Sequence, residues 1–217
     1  MRILVIGGMG TIGSAVVARL SGNHDVVVGC RTSAEAAVDI TDTASIRRLL
    51  EEEAPFDAVV CAAGDAVFKT IDHLTDDDHA FGLRSKLMGQ VNVVRVGQRH
   101  VSDGGSFTLT SGKLGRRPMP GTTSYSVVNS GVEAFVRAAS LELPRGLRIN
   151  AVSPEWATTT LAELGMDPSG GVPASLIAEA YAVAVEGTMT GTVIDAGWHY
   201  DPSADFVAIE TARILTL

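Results

Sequence analysis

"IGGMGTIGS", residues 6 to 14, is the stretch on which the fold turns. It follows the apolar run "RILVIG" at 2 to 7, which reads as a strand, and leads into a periodic stretch at 11 to 21 that reads as a helix. Gly7, Gly10 and Gly13 let the backbone turn tightly and come close to a pyrophosphate. The helix that follows aims its unpaired N–H groups and positive dipole end at the same point. A glycine triplet alone is weak; with a strand before it, a helix after it and βαβ spacing beyond, it predicts a dinucleotide site. Purely structural glycines are the alternative.

The same alternation continues along the chain. Strands are predicted at 25 to 30, 56 to 64, 105 to 111, 147 to 154 and 191 to 197, and helices at 43 to 53, 76 to 100, 122 to 142 and 173 to 186. That order implies an α/β protein of the Rossmann type, with a doubly wound parallel sheet of about seven strands and helices on both faces. The strands are nearly continuous in apolar residues, as burial on both faces requires. Residues 1 to 197 read as a single domain, with 198 to 217 as a C-terminal extension. Its apolar positions in "DFVAIETARILTL" suit an amphipathic helix docked on its own domain or on a second subunit. The Gly- and Pro-rich segment 160 to 173 reads as a loop.

With 217 residues, 46% of them hydrophobic, the chain can bury one sizeable core. A formal net charge of −8 argues against a nucleic-acid partner. The early apolar run is too short for a leader or a membrane span, so a soluble, cytoplasmic protein is expected. Cys30 and Cys61 end apolar runs and read as buried thiols, and the five histidines form no cluster, so no metal is expected. The basic run "GKLGRRP" at 112 to 118 reads as a solvated loop or as a loop over a phosphate-bearing cofactor.

The end of the second strand discriminates between dinucleotides. A carboxylate there meets an unphosphorylated ribose, whereas an arginine accommodates a 2′-phosphate. This chain has Arg31, followed by Thr32 and Ser33, which points to NADP(H); a surface arginine is the alternative.

Taken together, these features resemble the short-chain dehydrogenase/reductase family from residue 1 to about 197. "VDITD" at 38 to 42 is similar to the family's adenine-binding segment, and the resemblance places Asp39 at the adenine amino group with Ile40 beside it. "CAAG" at 61 to 64 resembles an Asn-Ala-Gly turn and brings Ala62, Ala63 and Gly64 to the cofactor, as the glycine loop brings Thr11 and Ile12. "RINAVSPE" at 148 to 155 resembles the segment leading to the nicotinamide, which assigns Pro154 and Thr159 to it. The family members usually pair as homodimers or homotetramers through the helices that here span 76 to 100 and 122 to 142, where Gly131, Ala138, Ala139 and Ser140 allow close packing.

In the active site the resemblance is incomplete. Tyr125 falls on the family's catalytic tyrosine, but the serine thirteen residues earlier is Gly112 and the lysine four residues later is Asn129. On the preceding helix the family's asparagine is Lys86. This resembles an atypical subgroup with an intact glycine motif and without the usual catalytic residues. A free tyrosine titrates at about 10, so acid–base work near neutrality calls for a nearby positive charge, of roughly 3 to 4 kcal/mol in effect. Asn129 carries no charge but can still hydrogen-bond the ribose hydroxyls. Lys86 either restores the charge beside Tyr125, in an exchange of the two positions, or reaches solvent or a carboxylate. Ser111 is the candidate substitute for the lost serine, if the chain bends at Gly112; Thr110 is the other. Glu155 reads as an acid or base near the nicotinamide, or as one half of an ion pair.

The expected function is an NADP(H)-dependent oxidoreductase acting on a small carbonyl or alcohol substrate, with Tyr125, Lys86, Ser111 and Asn129 as its working residues. An NADP(H)-binding sensor or scaffold without turnover, and a non-redox lyase or cyclase on the same fold, are the alternatives.

Overall fold

The computed structural model describes residues 1–32, 36–197 and the pair 214–215. Six strands form a parallel sheet: β1 (Arg2–Ile6), β2 (Asp25–Gly29), β3 (Phe56–Cys61), β4 (Val101–Thr110), β5 (Arg148–Pro154) and β6 (Val193–Ala196). A two-residue β7 (Ile214–Leu215) pairs antiparallel with β6, giving the order β2-β1-β3-β4-β5-β6-β7. The helix expected in the C-terminal extension otherwise lies outside the described residues; these two residues are strand.

The helices are α1 (Thr11–Leu20), α2 (Thr43–Glu53), α3 (Asp76–Gly82), α4 (Gly89–Gly97), α5 (Thr123–Ala139), α6 (Thr158–Glu163) and α7 (Ala174–Glu186). Successive strand residues point to opposite faces, and the two cores divide accordingly. Leu4, Ile6, Val59 and Cys61 face α2, α4 and α5, where Ile46, Leu50, Val93 and Val132 meet them. Ile3, Val5, Ala58 and Val60 face α1 and α7, where Val16, Leu20, Ile177 and Tyr181 close the other side.

The helix predicted over 76 to 100 is present, but Leu83–Met88 within it is π-helical. Thr75 opens it with a capping box to Asp78, and Asp76, Asp77 and Asp78 complement its dipole. Gln90 fixes the widened turn: its side chain donates to the carbonyls of Lys86 (3.2 Å) and Thr110 (2.9 Å) and accepts the Thr110 N–H (2.7 Å). The end of β4 is thereby tied to the backbone of the π stretch. The segment predicted as loop at 160 to 173 instead carries the end of α6 and a 3-10 turn at Pro168–Gly170, with Ala157 and Val172 bridged at its base.

Phe107 lies in the middle of β4, fully buried, its ring against Gly97 of α4. Phe107→Ala is expected to lower stability by about 3–5 kcal/mol, read as a lower urea midpoint with an unchanged slope.

Candidate active site

In a parallel sheet every strand delivers its C-terminal end to one edge, and the turns that follow β1, β3, β4 and β5 meet there. After β1, Gly7 turns at φ +82°, donates its N–H to the Gly29 carbonyl (2.7 Å) and accepts from Gly10 N (3.0 Å). A β-carbon on Gly7 would lie 2.7 Å from the Ala62 carbonyl oxygen, and one on Gly13 would overlap the Gly7 carbonyl. Gly10 precedes α1 with no side-chain cap, so the first N–H groups of that helix are open to a ligand. The cradle fits the pyrophosphate of a dinucleotide, since side chains are excluded where the phosphates would approach. Thr11 is half-buried in the first turn, and Ile12 packs toward the α1–α7 core.

Arg31 and Thr32 are exposed just past β2; Ser33 lies outside the described residues. A cleft of about 620 Å³ runs along the outer edge of β2 past Met9, Cys30 and Thr32. Asp39 accepts from the amide and hydroxyl of Thr41, both at 2.8 Å, and these bonds hold its carboxyl below the ordinary range, with Arg31 and Arg84 adding to the effect. Ile40 turns its side chain into the core against Gly89 of α4. Ala62 and Ala63 are half-buried beyond β3, and Gly64, at φ +113°, crosses directly over the Lys86 backbone. Pro154 closes β5, and Thr159 is exposed in the first turn of α6.

The catalytic candidates are arranged differently from the expectation. Tyr125 donates its hydroxyl proton to Asp65, on the loop after β3. Burial raises its pKa, and the bond to the carboxylate and its negative charge raise it further, so the phenol is held protonated well above neutrality. This reverses the predicted lowering by Lys86. Lys86 is nine-tenths buried on the π stretch, and its electrostatic partners are Asp65 and Cys61. Desolvation pushes its ammonium down to about 8, while those two partners act in the opposite direction. Cys61 is in turn pushed up to about 11 by burial.

Ser111 does not swing round to the site. Its hydroxyl donates to Glu133 (2.9 Å) on α5 and approaches the Asn129 carbonyl (3.3 Å). Gly112 is extended, so no bend redirects the chain there. Thr110 is likewise engaged inward, donating to the Cys61 carbonyl and sharing a hydrogen bond with Tyr181, both at 2.7 Å. A β-carbon on Gly112 would lie 2.9 Å from Asn129 Nδ2, so asparagine at 129 fills space that a side chain at 112 would need. Asn129 Oδ1 is buried and has no hydrogen-bond partner, the kind of acceptor that a ligand hydroxyl satisfies.

The basic run at 112 to 118 is not a purely solvated loop. Lys113 pairs with Glu155, and Arg116 bridges Glu133 on α5 and Asp195 on β6. Glu155 is thus an ion-pair partner and also caps the Trp156 N–H at 2.9 Å. Above Tyr125 lies Phe68, its ring 4.4 Å away, with Trp156 5.9 Å beyond Phe68. Gly131 is used within the chain, against Leu87 of the π stretch. Sequence reasoning missed Asp65, Phe68, Gln90 and Glu133; Asp65 alone carried a signal, as a carboxylate directly after the turn at the C-terminal end of a strand. Among the described residues there is no group of three or more His, Cys, Asp or Glu placed to hold a metal, and no helix long and apolar enough to cross a membrane.

A family model described as enoyl-(acyl carrier protein) reductase matches residues 15–180. Short chain dehydrogenase claC of Passalora fulva is 30% identical over 146 residues, covering 63% of this chain and 54% of its own length. Acetoacetyl-CoA reductase of Allochromatium vinosum is 26% identical over 189 residues, 73% of this chain and 75% of that protein. The crystal structure of lin1944 from Listeria innocua superposes with a TM-score of 0.86 at 39% identity, over 90% of this chain and 98% of that one. A small-chain dehydrogenase crystallised with NADPH superposes at 0.79 with 29% identity, over 90% and 96%. The chain spans about half the length of the first curated relatives it matches, 54% in each case.

Two outcomes test this geometry. Gly112→Ser alone is expected to destabilise by about 1–3 kcal/mol through overpacking against Asn129, and Gly112→Ser with Asn129→Ala to recover much of that loss in a double-mutant cycle. For Lys86, the unfolded value of 10.5 exceeds the folded value of about 8, so the unfolded chain binds more protons between them and stability rises with pH across that window. Cys61, raised from 9.0 to about 11, acts with the opposite sign above about pH 9. Lys86→Met removes the first effect and leaves the burial that raises Cys61. Its stability gain over the wild type at pH 7, roughly 3 kcal/mol at most, is expected to shrink by pH 10 in urea unfolding.

Proposed function

The chain belongs to the short-chain dehydrogenase/reductase family, and from that footing we propose that it is an NADP(H)-dependent reductase of a small carbonyl or related unsaturated compound, with Tyr125 as proton donor. The observation that carries this reading is one of placement. The glycine turn at Gly7–Gly13 and the Tyr125 hydroxyl stand at the same edge, where the chain order reverses between β1 and β3. The NADPH-bound relative and the acetoacetyl-CoA reductase support it.

In this reading Gly7, Gly10, Thr11, Ile12 and Gly13 hold the pyrophosphate, and Arg31, Thr32 and Ser33 hold the 2′-phosphate. Asp39 and the Ile40 backbone meet the adenine, Ala62, Ala63, Gly64 and Asn129 line the ribose, and Pro154 and Thr159 lie toward the nicotinamide. The cofactor, when bound, supplies the hydride. Tyr125 starts protonated, the state that a reduction needs from its acid. Asn129 Oδ1 accepts from a ribose hydroxyl, which resolves its buried vacancy of hydrogen bonding. Position 112 offers no hydroxyl to the developing oxyanion, a loss worth about 3 kcal/mol of barrier, so turnover is expected to be slow. Copies pair as a homodimer or homotetramer through the helices at 76 to 100 and 122 to 142, where Phe81, Leu83, Met88 and Val127 are exposed apolar residues. Residues 1 to 197 are the single NADP-binding domain, in a cytoplasmic protein.

The second reading is an NADP(H)-binding sensor or scaffold without turnover. It is favoured by the commitment of the Ser111 hydroxyl to Glu133.

Fluorescence titration with NADPH, followed by its absorbance loss over a panel of carbonyl substrates, separates the two. Oxidation by any member supports the reductase; tight binding with none supports the sensor; failure to bind sinks both. Arg31→Ala is expected to weaken NADPH about 10- to 100-fold and to leave NADH little changed, as loss of a charged hydrogen bond to one phosphate implies.

A further inference from the structure

A tyrosine that donates a proton must recover one before the next turnover. In this chain the inward side of Tyr125 is poorly equipped for that. Asn129, one turn along α5, cannot ionise, and the Ser111 hydroxyl is directed to Glu133. On the outward side stands Asp65, exposed to solvent and bonded directly to the phenol.

Asp65 is held in that position. Its N–H donates to Ser85 Oγ on the π stretch (3.0 Å), and its Oδ1 also accepts the Ala66 N–H (2.9 Å). The charged and titratable groups around the phenol come from three directions. Asp65 lies on the loop after β3, Lys86 lies on the π stretch in electrostatic contact with Asp65, and the Lys113–Glu155 pair lies beyond Trp156. Phe68 stacks on the Tyr125 ring and shields that face from water. The carboxylate is therefore a polar link from the hydroxyl to solvent.

We propose that Asp65 is a positioning residue that holds Tyr125 as a hydrogen-bond donor and returns protons to it from solvent. The proposal rests on the reductase reading above. In each turnover hydride from NADPH adds to the carbonyl carbon, the C=O π pair moves onto oxygen, and the Tyr125 O–H turns from Asp65 to give that oxygen its proton. The Asp65 carboxylate then takes a proton from solvent and passes it to the phenolate, returning to its charged state, so one solvent proton is consumed per carbonyl reduced. Lys86 offsets the negative charge of the pair while the proton is in transit.

The test uses Asp65→Asn, which keeps the size and one acceptor, and Asp65→Glu, which restores the carboxylate. Tyrosinate absorbance is titrated in each, with Tyr125→Phe subtracted to assign the signal. In the wild type Tyr125 is expected to ionise well above the free-tyrosine range, in Asp65→Asn to fall back toward it, and in Asp65→Glu to stay high. With a substrate from the panel, Asp65→Asn is expected to lower kcat about 10- to 100-fold and enlarge the solvent deuterium isotope effect, with the NADPH dissociation constant unchanged; Asp65→Glu is expected to recover part of the rate. An unmoved Tyr125 titration in Asp65→Asn overturns the positioning role, and an unchanged kcat and isotope effect overturn the proton return. If the wild type binds NADPH but reduces nothing, the reductase reading falls and the proton return falls with it. The titration still decides whether Asp65 sets the state of Tyr125.

Discussion

Between the turn after β1 and the first turn of α1 there is no room for a methyl group. A β-carbon on Gly13 would occupy the Gly7 carbonyl, and one on Gly7 would press on Ala62 after β3. Three backbone segments therefore converge in a space that any side chain would fill, and the rest of the molecule is arranged around keeping them there. The parallel register of β1 with both β2 and β3 brings the ends of those strands level, and the apolar residues of β1 anchor it from both faces. Close packing on this scale leaves open backbone N–H groups at one point on the surface, which is what an anionic cofactor needs.

The fold was legible because its signals are local and repeated. A strand buried on both faces must be apolar throughout, and a helix over it must be apolar on one side, so "ILVIGG", "DAVVC" and "INAVSP" announce their own state. The π stretch was not legible, because its cause is tertiary: Gln90 reaches across to the end of β4 and fixes the carbonyl of Lys86, and no pattern within "LRSKLM" encodes that partner. The tight turn at Gly7–Gly13 could be read from its glycines. The direction of Ser111 could not, since alternation along a strand leaves open which neighbour on α5 receives the hydroxyl, and Glu133 lies twenty-two residues away.

The idea of an exchange between Lys86 and Asn129 is partly reshaped by these contacts. The positive charge does sit on the preceding helix, but it lies in the field of Asp65 and Cys61 and does not lower the phenol. A single buried lysine is strongly destabilised when no carboxylate is near, and Asp65 supplies one. At the other position the asparagine and Gly112 are sterically coupled: the amide reaches to where a serine's β-carbon would stand. The two departures from the family pattern, Gly112 just after β4 and Asn129 on α5, are therefore one packing solution, whereas Lys86 and Asp65 form a second.

On the reductase reading, this second pair also constrains the order of events. With no hydroxyl at 112 and Asp65 carrying a negative charge at the phenol, an alkoxide formed ahead of proton transfer would lack the serine's hydrogen bond and would face a carboxylate beyond Tyr125. Delay between hydride arrival and protonation is disfavoured on both counts. The reverse reaction meets the opposite difficulty, since it must begin from a phenolate beside Asp65. The same electrostatics that hold Tyr125 in its acid form thus favour a concerted reduction and oppose use of the site as a base.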